Sequence, residues 1–234
     1  MWREPRVEPI DDAPLIPGLF AVHELRKAWG DRTILDGLEL VLDRGTLNWV
    51  GGENGIGKTT LLRICAGLIL ADSGVVDLDG LHPRRQRASY QERVGFLSAG
   101  DRGLYARLTV RQHLELWGRL SLLPRGRFRA AIERMIARLD LGELADRRMD
   151  RLSMGQRQRV RLAMAFLHEP DLVLLDEPLN SLDPHGVELL SACLAGVTGR
   201  GGAVLWVSPA PPSEISFDTR QWLEDGRLTA RPRR

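Results

Sequence analysis

GENGIGKT, residues 52–59, fits the pattern G-x-x-x-x-G-K-[ST]. Each residue type in it has a physical reason. Glycines at 52, 55 and 57 let the backbone take unusual dihedrals and turn its N–H groups inward onto phosphate oxygens. Glu53, Asn54 and Ile56 complete the stretch expected to hold the ligand, and Thr60 continues it. A helix opening at the end of the loop adds its positive dipole end. Lys58 brings a point charge to the outer phosphates, and the Thr59 hydroxyl is a ligand for Mg²⁺. Lys27 and Lys58 are the only lysines among 33 basic residues, so a lysine inside this loop is conspicuous.

The flanks have the right character. Residues 46–50 read as a short apolar strand entering the loop, and Leu61, Leu62, Ile64 and Leu68 as the apolar positions of the helix leaving it. Further on, LVLLDE (residues 172–177) buries four apolar residues in a strand. It then releases two carboxylates at the C-terminal end, where ligands sit in open α/β sheets. Asp176 is placed to hold Mg²⁺ through water, and Glu177 to polarise an attacking water as general base. Taken alone, such a pair of acids is equally a solvated turn.

Leu38, Leu40 and Leu42 alternate as in a half-buried strand, and strand character returns at residues 172–175, 203–207 and 220–223 with helices between. Such alternation implies an α/β fold with a mostly parallel sheet covered on both faces. Thr109 reads as an N-cap, followed by Val110, Leu114, Trp117 and Leu120 at helical spacing; Phe128, Ile132, Met135 and Leu139 repeat that spacing. Residues 100–165 therefore form an expected helical insertion within a domain spanning 19–230. Residues 1–18, with four prolines, read as a flexible lead-in.

Composition limits the function classes. A net charge of +2 gives no reason to expect a nucleic-acid partner. No apolar run reaches eighteen residues and no leader-like segment opens the chain, so the expectation is a protein neither secreted nor membrane-spanning. Cys65 and Cys193, in apolar helical contexts, read as buried packing residues.

LSMGQ, residues 152–156, precedes another helix, with Ser153 and Gly155 offering hydroxyl and N–H groups at its start. Alone it is a helix cap. In order along the chain come the phosphate loop, LSMGQ, LLDEP and SLD (residues 181–183). That set resembles the ATP-binding domain of ABC transporters, over residues 20–228. The resemblance implies a P-loop NTPase fold with a small antiparallel β region in its N-terminal part, ATP and Mg²⁺ as ligands, and a head-to-tail dimer with itself or a paralogous ATPase. In that dimer Ser153, Gly155 and Gln156 close on ATP held by the partner's loop, and Asp183 lies in the segment crossing the interface. Trp29 fits the aromatic placed under adenine. The resemblance also implies a separate integral-membrane subunit and a place on the cytoplasmic face of the membrane. The short stretch after Leu228 and the sequence GDRGLYARLT (residues 100–109) look exporter-like.

Two family positions depart. Ala99 stands where the family has a Gln, with Ser98 or Asp101 as alternative oxygen ligands, and Pro209 stands where it has a His. Proline has no side-chain donor for a phosphate. Slow ATP hydrolysis is the leading expectation. The alternatives are a regulatory subunit that binds ATP beside a competent partner, and an ABC ATPase working outside transport. His185 is read as structural or solvated.

Overall fold

The computed structural model describes residues 18–100, 103–121 and 123–230. The expected lead-in therefore lies outside the described residues except for Gly18, and so does Asp101.

Nine strands and six α-helices are described: β1 (Phe20–Trp29), β2 (Arg32–Leu42), β3 (Leu47–Gly51), α1 (Lys58–Cys65), β4 (Ser73–Leu78), α2 (Arg87–Gln91), β5 (Val94–Leu97), α3 (Val110–Leu120), α4 (Arg125–Arg138), α5 (Met154–Phe166), β6 (Leu172–Asp176), α6 (Pro184–Gly199), β7 (Ala203–Val207), β8 (Thr219–Glu224) and β9 (Arg227–Thr229). A six-stranded sheet runs β5-β6-β7-β3-β8-β9, parallel except for the β8–β9 pair. A second, antiparallel sheet runs β2-β1-β4. The fold is α/β, with a mostly parallel sheet and a small antiparallel one.

The parallel strands β3, β6 and β7 are buried along their whole length, which is why their sequences are apolar apart from Asn48 and the terminal Asp176. Their side chains still alternate between faces. Leu172, Leu174, Leu205 and Val50 join the core shared with the antiparallel sheet and α1. Val173, Leu175, Trp206 and Trp49 join the core shared with α3, α4, α5 and α6. The sheet is thus a slab between two cores, with the C-terminal ends of β3 and β6 on one edge.

One expected element is shorter than its sequence pattern. The helix after the loop stops at Cys65, not Leu68. Gly67 takes φ +66°, its N–H donates to the Ile64 carbonyl (2.9 Å), and the Leu68 N–H donates to the Arg63 carbonyl (2.9 Å). This is a Schellman ending, which satisfies the last carbonyls and turns the chain out. Leu68 is left 47% exposed.

Candidate functional site: a phosphate loop beside two carboxylates

The loop between β3 and α1 has the geometry its glycines allow. Gly57 takes φ +124°, and a Cβ there would lie 2.6 Å from Ile34 Cγ2; Gly52 takes φ +145°, and a Cβ there would lie 2.9 Å from the Leu223 carbonyl oxygen. Side chains at either position would drive the loop off the strand hairpin and off β8. Gly57 is also the N-cap of α1 and supplies no capping side chain. The first-turn N–H groups of that helix are left to whatever sits over the loop.

Lys58 folds back across the loop, its Nζ donating to the carbonyls of Gly52 (2.6 Å) and Glu53 (2.8 Å). Thr59 Oγ1 donates to Asp176 Oδ2 at 2.8 Å, tying α1 to the end of β6. Burial lowers the Lys58 pKa against the opposing pull of Glu177 and Asp176. Burial likewise raises the Asp176 pKa, opposed by the Thr59 hydroxyl that donates to its carboxylate and by the nearby backbone N–H of Ala99. Charged groups of both signs are therefore held in a place that disfavours charge.

Glu177 leaves the strand at φ +49°, with its N–H on the Val207 carbonyl (2.9 Å). Asn180 Nδ2 donates to Glu177 Oε2 at 2.9 Å and orients that carboxylate. Asn180 was not singled out from sequence, where the only signal is its position three residues on, inside the turn before SLD.

Thr59 and Asp176 present two oxygen donors to one point, which suits Mg²⁺. Among the described residues no group of three or more His, Cys, Asp or Glu could enclose a metal. A cation here would take its remaining ligands from water and phosphate, as Mg²⁺ does.

The two departing positions both lie at this site. The backbone N–H of Ala99 favours the charged form of Asp176, whereas Ser98 faces Arg161. Pro209 lines a 610 Å³ hollow together with Gly52, Glu53 and Ile56. The Ser208 hydroxyl before it accepts from Trp49 Nε1 (2.8 Å) and donates to the Ala210 carbonyl (2.7 Å), fixing the chain there.

The other candidates stand apart. Ser153 and Gln156 form a reciprocal capping box at the start of α5 (3.0 and 3.2 Å). A Cβ on Gly155 would lie 2.7 Å from the Ser181 carbonyl, and Asp183 caps α6 through the Gly186 N–H (2.7 Å). LSMGQ and SLD therefore adjoin each other, and among the described residues no hydrogen bond or ion pair joins residues 153–156 or Asp183 to the phosphate loop. Trp29 is 55% exposed at the tip of the β1–β2 hairpin, with Lys27 Nζ 4.5 Å from its ring centroid. From the same tip Arg32 reaches the Gly55 carbonyl at 3.5 Å. His185 is exposed and lies 3.4 Å from Asp140.

The family model described as ABC transporter matches residues 35–180. The chain is 39% identical to the ABC transporter ATP-binding protein NatA of Bacillus subtilis, over 62% of this chain and 59% of that one. It is 34% identical to the Nod factor export ATP-binding protein I of Paraburkholderia xenovorans, over 78% and 60% respectively. The chain thus spans about three fifths of the length of these relatives. Against the phosphonates import ATP-binding protein PhnC 1 of Natronomonas pharaonis it is 38% identical, over 90% of this chain and 91% of that one. A solved structure of the ATP-binding subunit of an ABC transporter superposes with a TM-score of 0.82 at 25% identity, covering 90% of this chain and 88% of that one.

Proposed function

The chain belongs to the ABC transporter family, among its ATP-binding subunits, and from that premise we propose that it binds ATP with Mg²⁺ and hydrolyses it to drive a separate membrane-spanning subunit. One observation carries the reading: the phosphate loop, the Thr59–Asp176 pair and Glu177 meet at one edge of the parallel sheet.

In this reading the loop N–H groups and the start of α1 hold the phosphates of ATP. Lys58 gives up its carbonyl contacts and places its ammonium on the outer phosphates. Thr59 and Asp176 would hold Mg²⁺, which when bound would supply charge neutralisation at the phosphates. Glu177, oriented by Asn180, accepts the proton of the attacking water. Trp29 stacks on the adenine. Positioning and electrostatics supply most of the acceleration in this chemistry, so the absent Gln and His slow turnover without abolishing it.

Ser153, Gly155, Gln156 and Asp183 serve a second copy or a paralogous subunit in a head-to-tail dimer. Their separation from the loop within one chain agrees with this. Among the described residues no helix is long and apolar enough to cross a membrane, which agrees with a peripheral subunit on the cytoplasmic face. Export is the proposed direction, supported by the Nod factor export relative. The phosphonates import relative weighs against it.

Steady-state ATP hydrolysis by wild type, Glu177→Gln and Pro209→His tests the reading. Wild-type turnover that falls about 10²–10⁴-fold in Glu177→Gln and rises in Pro209→His supports it. Equal turnover in wild type and Glu177→Gln would show that the water is activated elsewhere.

A further inference from the structure

Helix α5 turns an apolar face to the core, yet two polar side chains sit on that face. Gln158 is 5% exposed and Arg161 is 6% exposed. A guanidinium in such a place is tolerated only when its donors are well met, so its position is tightly fixed by its partners. Arg161 Nη1 donates to Gln158 Oε1 at 2.7 Å. Arg161 Nη2 donates to the Ser98 carbonyl and lies 3.4 Å from Ser98 Oγ. Gln158 Nε2 in turn donates to the Pro178 carbonyl at 2.9 Å.

Both ends of this chain of bonds adjoin the site. Ser98 precedes Ala99, whose backbone N–H lies by Asp176 and favours its charged form. Pro178 follows Glu177 directly. Two linked buried side chains, Arg161 and Gln158, thus bond to the main chain just before Ala99 and just after Glu177. Residue 99 brings no side-chain oxygen of its own, so it acts on Asp176 only through its backbone N–H, which shares a planar peptide unit with the Ser98 carbonyl.

We propose that Arg161 is a positioning residue for the cation site. Through Ser98 it fixes the main chain that runs past Asp176, and through Gln158 it fixes the chain directly after Glu177. The inference rests on the ATP–Mg²⁺ reading above.

The test is ATP binding by calorimetry, once in EDTA and once in excess Mg²⁺, on wild type, Arg161→Met and Arg161→Lys, with thermal melts alongside. The readout is the gain in affinity that Mg²⁺ confers. Groups that orient metal ligands typically change metal affinity about 10–100-fold when removed. Arg161→Met is therefore expected to bind ATP in EDTA within about twofold of wild type and to lose about tenfold of the Mg²⁺ gain. Arg161→Lys, which keeps the charge without the fork, is expected to fall between. A folded Arg161→Met with the full Mg²⁺ gain would overturn the proposal, because a role in packing alone lowers the melting point and leaves that gain untouched. If Arg161→Met fails to fold, Gln158→Leu cuts the link to Pro178 and leaves the link to Ser98; an unchanged gain there overturns the proposal equally. A wild type that binds no ATP in either condition overturns the ATP reading and this inference with it. A wild-type gain kept in the variants overturns this inference alone.

Discussion

At the scale of single residues, the site depends on backbone that most side chains cannot adopt. Gly57→Ala would force an L side chain into φ +124° and against Ile34. Strain of this kind costs about 1–3 kcal/mol, which in a chain of this size lowers the melting temperature by roughly 2–12 °C. A thermal melt checks it, and a variant melting with wild type would mean that the loop yields at no cost. The cysteines have a chemical signature. Burial pushes the Cys193 thiol up to about 11 and the Cys65 thiol higher still, so little thiolate exists at pH 8. The folded protein is expected to leave both thiols unlabelled by a thiol reagent, and unfolding to release both. Rapid labelling of the native chain would contradict their burial.

At the scale of elements, the strands differ in how openly the sequence announced them. β3, β6 and β7 are buried on both faces, so their apolar runs end directly in the functional residues. β1 hid its alternation. Glu24 sits at φ +47° and the pairing register shifts between Val22 and Leu25, so the period of two is lost in the middle of the strand. The N-caps Thr109 and Ser153 were legible because hydroxyl and Gln at that spacing form a capping box. The helix end at Cys65 was not, because Leu68 still fits the helical period after Gly67 has turned the chain. In the site, Lys58, Thr59, Asp176 and Glu177 lie in contiguous motifs and could be read directly. Asn180 and Arg161 act through contacts that only the folded chain creates.

Two helix-associated histidines set a pH limit on the fold. Burial lowers the pKa of His168, on which the Val94 carbonyl acts in the opposite sense, and also that of His113. His168 Nδ1 is buried with no partner, so protonation has nowhere to be accommodated. As pH falls below about 6.5 the unfolded chain takes up these protons first, so stability present at neutral pH is lost progressively toward the lowered folded values. Melts between pH 7 and 5.5 are expected to fall for wild type and to fall less for the variant carrying His113→Gln and His168→Gln. An equal slope in both would assign the loss to other groups.

At the scale of the whole molecule, the sheet edge gathers the loop and carboxylates while LSMGQ and SLD adjoin each other elsewhere. On the proposed reading, such a chain completes its site with a second chain. Glu177→Gln should therefore run as a dimer on size exclusion in MgATP and as a monomer without nucleotide. A monomer under both conditions would remove the head-to-tail pairing.

The most direct measurement is a calorimetric titration of MgATP into wild type and Lys58→Ala. Wild type is expected to bind at one site per chain, and Lys58→Ala to bind at least about tenfold to a hundredfold more weakly, since the outer phosphates lose a charged donor. Equal affinity in the two proteins would place ATP somewhere other than residues 52–60.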